Sequence, residues 1–228
     1  MPAVLGYFVI NVPDALRAKD FYHNTLGWQF QPDDHVVGSS PTGGVFGAAA
    51  TPRIDAYFVV EDAARTAAQV RDLGGQAGRP LRSPAGWSTR CTDDQDGEFA
   101  IWQPDQAYAL DGPPKPGIGD LVYFVLPAAD DELAKRFYGP LFDWQFSTGS
   151  HPGGWHITNV APPGGLFGAG APGPISVYFQ VDDIEAAADR IRAAGGTCGP
   201  AQPNRAGAHA ACRDNQGLDF FISSLRDY

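Results

Sequence analysis

Asp55 is the sharpest chemical candidate in the chain. It lies in IDAYFVV, Ile54–Val60, and on an extended strand it shares a face with Tyr57 two residues on. A carboxylate among aromatic side chains can serve as a general base or hold a ligand amine. A salt bridge or an exposed strand end accounts for the same residue equally well. His35 and His156 are the other acid/base candidates, because imidazole titrates near neutrality; surface histidines on edge strands fit them too. Tyr7, Tyr57, Trp102, Tyr123, Tyr178 and Phe221, with Ser176, fall on strand positions of mixed polar and aromatic character. Such a face suits stacking against a flat or hydrophobic molecule, worth about 0.5–1.5 kcal/mol per well-placed aromatic pair beyond area burial. It also suits packing between two modules. Cys91 and Cys212 have no activating base beside them in sequence and read as buried, inert thiols. The run DDQD, Asp93–Asp96, lacks the calcium-loop spacing and reads as a polar turn. GGVFG and GGLFG lack the Lys and Ser/Thr of a phosphate loop and read as a turn and bulged strand.

Composition narrows the partners. Lys+Arg 16 against Asp+Glu 26 gives a net charge of −10, with no basic cluster, so phosphate backbones are repelled and nucleic acid is excluded as an expected partner. No apolar run approaches the ~20 residues needed to span a bilayer. The N-terminal stretch lacks a basic region and carries Asp14, unlike a secretory signal. Three cysteines with no CxxC point to reduced thiols and a cytoplasmic protein. Gly 28 and Pro 20 imply many turns, hence strands rather than a helical bundle.

These residues are positioned by a repeat. YFVINVPDALRAKDFYHNTLGWQF, Tyr7–Phe30, returns as YFVLPAADDELAKRFYGPLFDWQF, Tyr123–Phe146. Eleven positions are identical at an offset of 116, among them Tyr7, Asp14, Phe21, Tyr22 and Trp28 with Tyr123, Asp130, Phe137, Tyr138 and Trp144. Five residues are gained within Ser147–Gly154, and at an offset of 121 Gly43-Gly44, Tyr57-Phe58, Asp62, Gly74-Gly75 and Cys91 meet Gly164-Gly165, Tyr178-Phe179, Asp183, Gly195-Gly196 and Cys212. His35 and His156 become equivalent under the same offset. Two modules follow, 1–104 and 120–228, joined by a Pro/Gly-rich linker at 105–119.

Within a module the periodicities are clear. Phe8, Ile10 and Val12 alternate as one face of a first strand. Asp14 caps a helix with the stripe Ala18, Phe21, Tyr22, Leu26, which Gly27 ends. Strands are expected at Trp28–Gln31, His35–Ser39 and Gly44–Ala48, then at Ile54–Val60, with Ala56 and Phe58 inward. Asp62 caps a second helix on Ala63, Ala67 and Val70. A last strand covers Glu98–Trp102, with Phe99 and Ile101 inward.

The order strand–helix–strands, an acidic cap before a helix carrying FY and then LGW, YFVVED and YFQVDD opening a helix that ends in GG, and a late Asp before the final strand together resemble the glyoxalase/bleomycin-resistance/dioxygenase (vicinal oxygen chelate) superfamily over both modules. The resemblance implies an α+β fold, two βαβββ modules forming a curved eight-stranded mixed sheet around cups that hold a small molecule. Two modules in one chain allow a monomer or a homodimer. Metal-binding relatives take ligands from three places, which fall here on Tyr7 and Tyr123, on Asp55 and Ser176, and on Ala100 (Ile101 if a gap is placed differently) and Phe221. Only Asp55 is a good donor, and a catalytic metal takes about three protein ligands. No cofactor is therefore expected, and a divalent metal would need ligands from elsewhere. The resemblance implies metal-independent binding of a small, partly aromatic organic molecule, as in the drug-sequestering, antibiotic-resistance branch. The alternative is a glyoxalase-like lyase or isomerase, or a tailoring enzyme of secondary metabolism, using Asp55, His35 or His156. A structural protein whose mixed face is filled by its own loops is the third reading.

Overall fold

A computed structural model describes residues 2–47, 49–106, 115–204 and 206–225. The expected linker 105–119 lies for the most part outside them, as does Ala48 at the end of an expected strand. In chain order the elements are β1 (Leu5–Val12), α1 (Ala15–Leu26), β2 (Thr42–Gly47), β3 (Arg53–Val59), α2 (Ala63–Asp72), β4 (Gln76–Ala77), β5 (Leu81–Ser83), β6 (Gly86–Thr92) and β7 (Glu98–Pro104). The second repeat follows with β8 (Leu121–Ala128), α3 (Asp131–Phe142), β9 (Phe146–Thr148), β10 (Gly154–Ile157), β11 (Gly164–Gly168), β12 (Ser176–Gln180), α4 (Ile184–Ala193), β13 (Thr197–Cys198), β14 (Gln202–Asn204), β15 (Gly207–Arg213) and β16 (Asp219–Leu225). No helix among the described residues is long and apolar enough to cross a membrane.

Each helix starts for the same local reason. Asp14, Asp62, Asp130 and Asp183 are extended at the N-cap, and each carboxylate accepts from the backbone N–H three residues on, at 2.8–3.1 Å. Gly27 closes α1 with φ 73°, a left-handed conformation that glycine adopts without steric cost.

The chain divides into two compact units. The first takes Met1–Tyr7, Asp55–Leu110 and Phe124–Ile175; the second takes Phe8–Ile54, Asp111–Tyr123 and Ser176–Tyr228. Each unit thus combines part of one repeat with part of the other. In the first unit, β3 runs parallel to β7, with Tyr57 opposite Ala100 and Phe58 opposite Ile101. β6 runs antiparallel to β7, and β4 and β5 pair with β6. From Phe124 onward β8 is parallel to β11, which continues antiparallel to β10 and then β9. α2 packs on α3. Phe58 meets Phe124, Phe142 and Trp144 at ring distances of 5.6, 5.2 and 5.2 Å.

The second unit repeats the arrangement. β12 runs parallel to β16, β15 antiparallel to β16, and β13 and β14 pair with β15. α1 packs on α4. Tyr22 lies 6.0 Å from Phe220 and 5.0 Å from Trp28, and Phe8 lies 5.6 Å from Phe179. Gly43 is flush against the Phe8 ring and Gly164 against the Phe124 ring; a Cβ at either would collide with it. That close approach is the physical reason for glycine at 43 and 164.

The α+β architecture of paired modules stands. Among the described residues the strands fall in two mixed sheets, of seven and nine strands, where one curved sheet of eight was expected. Part of the surplus is edge strands of two or three residues (β4, β5, β9, β13, β14), too short to carry a period-two signal. Trp28–Gln31 and His35–Ser39 form only the isolated bridges Phe30 to Val36 and His35 to Gly44. Trp28 is buried there, its Nε1 donating to the Gly119 carbonyl at 3.0 Å. In the second repeat the five extra residues give β9 and β10 room to pair as an antiparallel ladder.

Candidate ligand-binding clusters

In each unit the inward face of the strands is aliphatic and aromatic core, and the opposite face carries the candidates. In the first unit, β3 turns Ile54, Ala56 and Phe58 inward and leaves Asp55 and Tyr57 on the other side. Tyr7 lies 5.6 Å from Tyr57 and 6.1 Å from Trp102, ring to ring, with interplanar angles near 55°. The indole Nε1 of Trp102 donates to the Ala85 carbonyl at 3.0 Å, which sets the ring's orientation. Arg90 on β6 stands opposite Ala100, and Ala100 opposite Tyr57, so all three share this face. The Arg90 guanidinium donates to Asp55. The Asp55 side chain is 10% exposed and that of Arg90 54%.

The second unit carries the equivalent cluster with different chemistry. Tyr123 meets Tyr178 at 5.5 Å. Tyr178 stacks on Phe221 at 4.5 Å and 15°. His209, on β15, lies 5.9 Å from Tyr178 and 6.2 Å from Phe221. Burial pushes the Tyr178 hydroxyl up to about 12, with the Tyr123 hydroxyl adding to the shift, and burial raises Tyr123 as well. Burial lowers the His209 imidazole from its ordinary value, which favours the neutral form. Ser176 stands where the first unit has Asp55, and Ala211 where it has Arg90. One cluster is therefore aromatic with an ion pair; the other is aromatic, with Ser176 and Ala211 where the first has that pair.

The candidate side chains are thus gathered in two groups, Tyr7, Tyr57, Trp102 and Asp55 in one, Tyr123, Tyr178 and Phe221 in the other. Ser176 is half-buried on the strand of Tyr178. His35 and His156 hold equivalent places, opposite Gly44 and Gly165. His35 Nδ1 is 3.2 Å from an Asp33 carboxylate oxygen, and its ring meets Phe46 edge-on at 5.7 Å. His156 is exposed on β10, with β11 between it and β8. Sequence reasoning missed Arg90 and His209. Both were accessible in principle: Cys91 and Cys212 are buried, so period two puts Arg90 and Ala211 on the opposite face, and His209 with them.

Two further groups of sequence candidates are structural. The Asp93 carboxylate accepts from the backbone N–H of Gln95 and Gly97, at 2.9 and 2.7 Å, and from the Tyr138 hydroxyl at 2.9 Å. Asp214 does the same with Gln216, Leu218 and Tyr22. The late Asp of each repeat is a buried turn that anchors a helix tyrosine. Cys91 is buried and its thiol is pushed up to about 12 by burial.

The fold-family metal does not fit the donor set. Of the three positions in each repeat, Tyr7, Asp55 and Ala100 in the first and Tyr123, Ser176 and Phe221 in the second, only Asp55 is a carboxylate, and Arg90 engages it. Among the described residues, no group of three or more His, Cys, Asp or Glu could hold a metal ion.

No protein-family model matches the chain, and no curated protein matches it. Solved structures do. The Mn(II)-bound glyoxalase from Novosphingobium aromaticivorans is 17% identical with a TM-score of 0.71, over 99% of this chain and 84% of that one. The 2,3-dioxygenase LapB from Pseudomonas sp. KL28 is 13% identical with a TM-score of 0.69, over 100% and 94%. An extradiol ring-cleaving dioxygenase from B. fuscum is 15% identical with a TM-score of 0.69, over 100% and 72%. The paired modules, the capped helices and these likenesses together establish that the chain has the vicinal oxygen chelate fold shared by these glyoxalase and extradiol dioxygenase structures.

Proposed function

We propose that the chain binds a small, partly aromatic organic molecule without a metal, in the manner of drug-sequestering members of this fold class. One observation carries the reading. Three of the six positions that would supply metal ligands are the aromatic residues Tyr7, Tyr123 and Phe221, and each packs on further rings, Tyr7 on Tyr57 and Trp102, and Tyr123 and Phe221 on Tyr178. Rings so placed bind flat apolar surface by stacking and desolvation. In the first cluster Arg90, held by Asp55, adds a positive group for a ligand's anionic or carbonyl end. The second cluster offers apolar surface and the imidazole of His209.

The test is a titration of flat aromatic compounds, with and without a carboxylate, followed by calorimetry and by the fluorescence of the wild type against Trp102→Phe. Binding that leaves no metal requirement after chelation, and that weakens in Tyr57→Ala or Tyr178→Ala, supports the proposal. A stoichiometric divalent ion in tag-free protein, required for binding, sinks it. A second reading, a lyase or isomerase using Asp55 as base, is favoured by the placement of that carboxylate beside Tyr57. Turnover of a bound compound that Asp55→Asn abolishes while binding persists would select it.

A further inference from the structure

Cys198 and Cys212 stand directly opposite each other on β13 and β15. Both thiols are free, and the Sγ of Cys212 donates to the Sγ of Cys198 at 2.9 Å. The Gly199 N–H donates to the Ala211 carbonyl at 2.9 Å, which makes the neighbouring pair the hydrogen-bonded one. Cys198 and Cys212 therefore occupy a non-hydrogen-bonded position, where opposed Cα atoms approach to about 4.5 Å. That separation lies within the range that a disulfide spans without moving backbone.

The first repeat supplies an internal contrast. The equivalent register there pairs Cys91 with Ala77, so no thiol faces Cys91 across the ladder. The fold builds the same edge with or without a second sulfur. Accessibility also differs within the pair. Cys198 is partly exposed; Cys212 is buried, and burial raises its thiol well above the usual range, with Cys198 adding to the shift. The partly exposed sulfur is the one that meets an oxidant first.

We propose that Cys198 and Cys212 are a site of reversible oxidative modification, closing to a disulfide under a hydroperoxide. The Cys198 thiolate attacks one peroxide oxygen. The O–O bond breaks, leaving Cys198 as a sulfenic acid and releasing hydroxide. The Cys212 sulfur then displaces the hydroxyl from the Cys198 sulfur, the S–S bond forms, and the Cys212 proton leaves in water. Two thiols and one hydrogen peroxide give one disulfide and two waters; the sulfurs are oxidised and the peroxide oxygens reduced. A dithiol reverses the step by exchange. The bond would tie β15 to β13 three residues from His209, the imidazole that flanks Tyr178 and Phe221.

The test uses the full chain with hydrogen peroxide as the probe. The thiol titre under denaturation is expected to fall from three to one, and non-reducing peptide mapping to join the Cys198 and Cys212 peptides with Cys91 still a thiol; dithiothreitol restores all three. Cys198→Ala, which reproduces the Ala77 arrangement of the first repeat, keeps both its thiols at the same dose. Cys198→Ser gives the same readout should the alanine variant fold poorly. Oxidation of Cys91 at an equal rate, a disulfide between two chains, or Cys198 running on to sulfinic acid while Cys212 stays a thiol would each overturn the proposal.

Discussion

Replacing Tyr138 by Phe isolates the contribution of one buried hydrogen bond. The hydroxyl donates to Asp93 Oδ2 at 2.9 Å, and Tyr138 and Asp93 are 2% and 4% exposed. Phenylalanine keeps the ring and its contacts with Phe99, Phe142 and Trp144. What is lost is one hydrogen bond to a carboxylate, about 1.5–3 kcal/mol. Asp93 keeps its two backbone donors, so the loss should sit in the lower part of that range, about 2 kcal/mol. For a chain of this length that lowers the thermal midpoint by roughly 4–8 °C. Asp93→Ala should cost more, about 3–5 kcal/mol, because it strands the hydroxyl and two amides together. The assay is urea unfolding of the two single variants and the double variant, with the coupling energy taken from the cycle. Tyr22→Phe is the matched experiment in the other unit, where the hydroxyl donates to Asp214 Oδ2 at 3.1 Å. A coupling below about 0.5 kcal/mol for both pairs would refute the reasoning. It would mean that backbone amides alone satisfy these carboxylates.

The same tyrosines set an alkaline limit. Burial first, then the neighbouring carboxylates, hold Tyr22 and Tyr138 well above 10.0. A raised folded pKa means stability that is complete below pH ~10 and is lost as pH climbs past it. Unfolding midpoints should fall above pH 10 in the wild type and fall less in the double Tyr→Phe variant; equal slopes would contradict this. If the proposed disulfide forms, its loop of about 15 residues should stabilise the chain by about 3 kcal/mol, read as a shifted urea midpoint reversed by dithiothreitol. Gly43→Ala should destabilise by about 1–3 kcal/mol through collision with the Phe8 ring; a neutral result in urea would show that the ring can move aside. Tyr57→Ala should weaken binding of an aromatic ligand by roughly 2–12-fold, the equivalent of about 0.5–1.5 kcal/mol, and unchanged calorimetric affinity would remove Tyr57 from the site.

Much of the local structure was legible because it depends on neighbours in sequence. The four Asp caps, the Gly27 stop and the alternation of Phe8, Ile10 and Val12 all follow from short-range spacing, and each recurs in the structure. The expected strands at Trp28–Gln31 and His35–Ser39 form only isolated bridges, whereas the second repeat, five residues longer there, pairs β9 with β10 as a ladder. The assignment of faces was legible too: Asp55 and Tyr57 lie opposite Ala56 and Phe58, as period two demands.

The sequence by itself determined which side of each strand a residue takes, and, through the repeat, which residues are twins. Only the tertiary structure decided who stands beside whom. Arg90 reaches Asp55 across three strands, β3, β7 and β6; His209 comes to Tyr178; and Cys198 faces Cys212 while its twin Ala77 faces Cys91. Alternation along one strand carries no information about register against the next, and register is set by long-range pairing and by the core beneath it. The two repeats pair their strands in the same register, so the chemical difference between the clusters comes from substitutions at equivalent positions (Asp55 and Ser176, Arg90 and Ala211, Ala100 and Phe221), while strand pairing decides that these residues share one face.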